Sequence, residues 1–173
     1  MSLKGLLYPK TTFSYEERPV SSNKLNIWND RIESGFSLLS WLLNQALGGG
    51  DGIISGAAAE DLEVQELATP GMRVRVQPGY AFISGCPYEL AVETDTPLFA
   101  APETHNRVDL VQARLEDWSI EVKPGEEAAT PSAPSPSADC IALAEITLRP
   151  AMTCIKDDDD GTNGLITDVR EFL

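Results

Sequence analysis

The sequence predicts a mainly β protein: an antiparallel β-sandwich or barrel-like module preceded by one long N-terminal α-helix and an extended arm. Three observations carry this expectation. Apolar and polar residues alternate in several short runs, the pattern of half-buried strands. Turn signals built on Gly, Pro, Asn and Asp recur at intervals of roughly 8–12 residues. Only residues 22–47 carry apolar side chains at helical spacing over a long span. Twelve prolines and thirteen glycines in 173 residues suit a turn-rich β protein, and 42% hydrophobic residues suffice for a packed core. The length points to one main domain with appendages.

In chain order, residues 1–21 read as an N-terminal arm, with Leu6, Leu7, Tyr8 and Phe13 among polar residues and prolines. Residues 22–47 read as an assembly helix that Ser21, Ser22 or Asn23 can cap and that Gly48–Gly50 end. Leu25, Trp28, Ile32, Phe36, Leu39, Leu43, Ala46 and Leu47 fall on one stripe of it. A second apolar set, Ile27, Leu38, Trp41 and Leu42, lies largely on the other side. A surface helix ordinarily buries one face; this one calls for partners on two. The expected interface residues are Trp28, Ile32, Phe36, Leu38, Leu39, Trp41 and Leu42.

Residues 48–59 read as a flexible Gly/Ala-rich loop, and residues 60–173 as the β domain. Leu62, Val64 and Leu67 suggest an edge strand. Met72–Val92 reads as a three-stranded meander turning at Pro78-Gly79 and at Gly85-Cys86-Pro87. After a turn-rich segment, Val108–Leu115 and Trp118–Val122 form two strands joined at Glu116-Asp117. Residues 126–139 form a Pro/Ala/Ser surface loop. Cys140–Leu148 is a strand, Met152–Ile155 a brief one, and LITDVREFL a last strand or tail. The sum is six to nine short strands.

The net charge of −14 argues against a general nucleic-acid binder, which needs a basic surface to neutralise phosphates. It argues equally against an anionic membrane surface as partner, while a basic protein partner fits. No apolar run approaches the ~18 residues of a membrane span, and the N-terminus shows no signal-peptide core. Cys86, Cys140 and Cys154 share no metal spacing and read as buried free thiols.

Chemistry finds little support. The run Asp157–Asp160 invites calcium, but neither register of an EF-hand-type loop supplies the required ligands, so it reads as a solvated acidic turn. His105 is the sole histidine and lies in a turn-rich stretch without a nucleophile elbow. No carboxylate pair stands out for glycoside hydrolysis. No cofactor, metal or catalytic group is expected. Arg107 and Asp109 flank Val108, and Asp168 and Arg170 flank Val169; residues two apart on a strand share a face, so each pair is expected to form a structural ion pair, or to join the other in a network. Trp118 or Tyr88 can be nominated for an exposed aromatic platform for carbohydrate, but both fall in alternating strand patterns that favour a core role.

Five motifs occur in a fixed order: Gly79, Ala81, Ile83 and Gly85 around a hairpin; Arg107 and Asp109; Lys123 and Gly125 before the proline-rich loop; Leu143 and Ala144; and Ile166, Thr167, Asp168 and Arg170. In this order they resemble the N-terminal adaptor domain of tailed-phage baseplate and receptor-binding-protein-anchoring proteins, such as the upper baseplate protein of siphophages. The resemblance covers roughly residues 60–171. It implies a virion structural protein of the tail or baseplate, made in the host bacterial cytoplasm. Its implied partners are other tail, baseplate or fibre proteins, and its implied state is a homo-oligomer, a trimer or a ring. In many members long stalk and head domains follow the last motif. Here three residues follow Arg170, which implies an adaptor whose distal parts are separate chains, or a small baseplate component. A phage-like contractile injection machine would use the same module. A carbohydrate- or receptor-binding β-sandwich at the tail tip is the alternative.

Overall fold

A computed structural model describes residues 22–56 and 61–173; the expected arm, residues 1–21, and the end of the Gly/Ala-rich loop lie outside the described residues. The chain divides after Leu47 into two units. The described part of the first is helix α1, Ser22–Ala46. Gly48, Gly49 and Gly50 all have positive φ, a conformation glycine adopts without a Cβ clash, so the helix stops there.

The second unit is mainly β, with antiparallel sheets stacked in a sandwich-like manner and no closed barrel. Its described residues form eleven strands, more than the six to nine expected: β1 Gly52–Ile54, β2 Val64–Gly71, β3 Arg73–Val76, β4 Gly79–Ile83, β5 Cys86–Leu90, β6 Thr94–Asp95, β7 Arg107–Arg114, β8 Ser119–Lys123, β9 Cys140–Leu148, β10 Ile155–Lys156 and β11 Gly164–Asp168. They make sheets in the orders β1-β4-β5, β2-β3-β6 and β10-β11-β9-β7-β8. One apolar core is shared by all three, with Ile53, Val74, Ile83, Val111, Ile146 and Ile155 fully buried in it.

The stretch Met72–Val92 is not a meander. β3 pairs with β2 and β6, whereas β4 pairs with β1 and β5. The chain changes sheet at Gln77–Gly79, where Gln77 N–H donates to Glu63 O and Leu62 N–H to Pro78 O. Gly79 is required at the crossing, since a Cβ there would lie 2.6 Å from Leu62 N. The next turn is Ser84-Gly85, both at positive φ, rather than Gly85-Cys86-Pro87. Two consecutive left-handed residues match the right-handed twist of a hairpin. Cys86 and Pro87 therefore belong to β5, an edge strand that tolerates the missing proline N–H.

The segment expected to be a flexible loop contains β1. Ile53 is fully buried, and β1 pairs with β4. On its other side β1 receives the chain end: Ile53 N–H donates to Glu171 O, Leu173 N–H donates to Ile53 O, and Phe172 bridges Ile53 in parallel. β10 and β11 are also parallel. Both departures from an antiparallel pattern are short and sit at sheet edges.

β7 is an interior strand of the largest sheet, between β9 and β8, and is buried on both faces from Val108 to Ala113. Its register against β9 shifts between Val111 and Gln112, a β-bulge. Ile141 and Leu143 are buried before the shift, and Ala144, Ile146 and Leu148 after it. The extra residue re-phases the alternation so that two successive side chains, Leu143 and Ala144, face the core. Val169 N–H donates to Leu143 O and satisfies the bulge.

Candidate assembly interface and structural latches

Helix α1 is built largely from residues that favour the helical state. It is rich in leucine, and its one interior glycine is Gly35. Asn29 donates to Glu33 Oε1, and Ser34 Oγ donates to Asp30 O, so the polar side is locally satisfied. Leu47 N–H bonds to Leu43 O and Asn44 O and closes the last turn. All seven expected interface residues are exposed: Trp28 50%, Ile32 37%, Phe36 66%, Leu38 36%, Leu39 55%, Trp41 53% and Leu42 47%. Leu25, Ile27, Leu43 and Leu47 add four more exposed large apolar side chains. Scattered exposed leucines are ordinary; ten large apolar side chains exposed along one helix, with Leu47 just after it, form a concentrated apolar surface.

The four charged residues expected as structural pairs form two separate latches. Arg107 grips Asp109 with two bonds, Nε to Oδ1 at 2.7 Å and a second to Oδ2 at 3.0 Å, and also donates to Ala100 O. Asp109 is buried, and its Oδ1 also accepts from Gly125 N–H at 3.0 Å. A Cβ on residue 125 would come 2.1 Å from Val108 O, so glycine is obligatory at this close approach. The motifs around Arg107 and Lys123 thus meet in one hydrogen-bonded knot. The second latch is Asp168 with Arg170, again two-pronged at 2.9 and 2.7 Å. Arg170 reaches further, to Asp61 O at 2.7 Å and Glu63 at 3.7 Å, and its ring neighbour is Phe172. The Arg170 guanidinium holds the Asp168 carboxyl below the usual carboxylate range, and the Arg170 pKa is raised in turn. The two pairs bond to different elements instead of forming one network.

The proline-rich loop is fastened at more points than its composition suggests. Glu127 accepts backbone N–H groups of Glu103, Thr104 and His105 and the Thr104 hydroxyl; these donors, Glu103 first, pull its carboxyl down to about 2. Ser137 N–H donates to buried Gln112, and Lys123 Nζ donates to Ser135 O. Neither Glu127 nor Gln112 stands out in the sequence, because a single Glu or Gln carries no spacing signal. His105 lends its backbone N–H to this cluster, and its ring meets only Thr104 Oγ1 at 3.1 Å among described contacts.

The acidic turn is internally hydrogen-bonded rather than simply solvated. Asp160 accepts from Asn163, Thr162 and Lys156, which together lower its carboxyl well below the usual range, Asn163 contributing most. Asp159 pairs with Arg149 at 2.9 Å, and Asp157 exchanges bonds with Glu66 across the fold.

Two expectations are corrected. Trp118 is not a core strand residue: it sits in the Leu115–Trp118 turn at φ 55°, is 50% exposed, and its ring lies 6.1 Å from that of Tyr88. Tyr88 is buried as expected; burial, helped by Asp117, raises its hydroxyl to about 12. The cysteines are free but not buried, with Cys86 exposed on edge strand β5 and Cys140 and Cys154 intermediate. No helix among the described residues is long and apolar enough to cross a membrane. Neither protein-family models nor curated proteins give a match to this chain.

Proposed function

We propose that this chain is a structural adaptor of a phage tail or baseplate, a virion component that joins other tail, baseplate or fibre proteins and performs no catalysis. One observation carries the reading: helix α1 presents ten exposed large apolar side chains, with Leu47 just after it, ahead of a β body held together by latches. Such a surface serves association rather than chemistry. The five motifs that resemble the adaptor family are structural parts of the β body: a sheet crossing and hairpin at Gly79–Gly85, the Arg107–Asp109–Gly125 knot, the Leu143–Ala144 bulge, and the Asp168–Arg170 latch. That supports a reading in which the β body is a scaffold. The same reading extends to a phage-like contractile injection machine. Pull-down with purified tail and baseplate components, with sedimentation of the complexes, tests it: the expected result is stable capture of at least one component, and a chain that captures none overturns it.

A second reading, a carbohydrate-binding module at the tail tip, is favoured by one observation, the half-exposed Trp118 ring, which lies tilted beside Tyr88. Glycan-array binding that disappears in Trp118→Ala with the fold intact supports it; an array without signal removes it.

A further inference from the structure

The two apolar sets of helix α1 differ in their order along the chain. Leu25, Trp28, Ile32, Phe36, Leu39, Leu43 and Leu47 advance by three, four and four residues, and then by three, four and four again. This is an eleven-residue repeat. At about 3.67 residues per turn it stays almost in line with a straight α-helix and gives a nearly straight or right-handed helix pair. Ile27, Leu38, Trp41 and Leu42 have no such repeat.

We infer that the repeating seam, Leu25 to Leu47, is the face on which a second copy of this chain packs, leaving the irregular set around Trp41 for a different protein. This division of the helix rests on the adaptor reading above. A repeating seam is self-complementary, because the surface that best matches its ridges is another helix with the same repeat. An irregular cluster matches one particular partner shape.

Charge along the helix permits the same occupant. Residues 1–47 carry five basic residues (Lys4, Lys10, Arg18, Lys24, Arg31) and four acidic ones (Glu16, Glu17, Asp30, Glu33), a net +1. Residues 48–173 hold the other eight basic and 23 acidic residues, a net −15. Two β bodies repel one another, whereas two helix segments do not. The seam itself has no charged member, and no charged residue follows Glu33 in the helix. The area is sufficient as well. Half-exposed large side chains leave on the order of 80–100 Å² each, so seven of them approach the roughly 800 Å² per partner of a specific interface.

The combination has its own signature. Apolar contact along the seam opposes repulsion between bodies of net −15, so self-association strengthens as salt rises and the repulsion is screened. A basic partner bound to the acidic body would show the reverse.

Sedimentation velocity of the full chain at micromolar concentration, from low to high salt, tests the inference. The wild type is expected to form one discrete oligomer whose share grows with salt. Phe36→Glu combined with Leu39→Glu is expected to lower the association constant by at least about 100-fold, with the circular dichroism and thermal transition of the β body retained. Trp41→Glu is expected to leave the oligomer intact. A wild type that remains monomeric at every salt concentration overturns the inference, as does dissociation by Trp41→Glu while the seam variant holds together. Should the seam oligomer form while no tail component is captured, the adaptor reading fails and the self-packing face stands. A monomer that captures such a component overturns the self-packing face and leaves the adaptor reading in place.

Discussion

At Gly125 the backbone passes so close to Val108 O that a side chain has no room, and the N–H released by that approach is taken by Asp109. Asp109 is buried and shared between Arg107 and Gly125, so each of the three residues depends on the other two. Asp109→Ala is expected to cost about 3–5 kcal/mol, since it leaves the half-buried Arg107 guanidinium without its partner. Denaturant unfolding checks this, and a loss below about 1 kcal/mol would falsify the latch as a stabilising element. Ile83 is fully buried at the end of β4, and Ile83→Ala is expected to cost roughly 2–5 kcal/mol in the same measurement. A change under about 0.5 kcal/mol would be the response of a surface position and would sink that assignment.

At the scale of elements, the irregular segments are fixed by single side chains rather than by repeating hydrogen bonds. Glu127 holds residues 103–105 against the start of the proline-rich loop. Its folded carboxyl, at about 2, lies below the ordinary 4.5, so the charged form favours the docked loop. The contribution is present above the ordinary value and fades as pH falls from there through the folded value. The amide proton shifts of Glu103, Thr104 and His105 are therefore expected to titrate with a midpoint near 2, and Glu127→Gln is expected to abolish that titration. A midpoint near 4.5 would mean that the loop is not held in this way. The β9 bulge makes the same point for a strand: Leu143 and Ala144 look like a break in alternation, and the bulge turns them into two core contacts.

At the scale of the molecule, the apolar surface that the described residues leave to solvent is concentrated in helix α1, and the excess negative charge lies in residues 48–173. That separation is what the adaptor proposal draws on, with association placed on one unit and a scaffold role on the other. Trp41→Glu is expected to lower capture of a tail partner at least about tenfold while the far-ultraviolet β signal stays unchanged. Loss of that signal would place Trp41 in folding instead of assembly.

Local chemistry was enough to determine much of this protein. Period-2 alternation located β3, and apolar runs bounded by turn signals located β7 and β9, almost to the residue. The three-and-four spacing located helix α1, and the Gly48–Gly50 run located its end, because helix periodicity and glycine's access to positive φ are properties of short segments. The pairing of Arg107 with Asp109, and of Asp168 with Arg170, was legible from the two-residue spacing. Only the tertiary structure decided which strands are neighbours. Met72–Val92 splits between two sheets because Gly79 packs on the backbone at Leu62, far from it in sequence. β1 is a strand because β4 and the chain end flank it, not because three residues, Gly-Ile-Ile, carry a pattern. Trp118 left the core because a turn needed its left-handed φ. Pairing and close approach depend on residues distant along the chain, and periodicity within one segment carries no information about them.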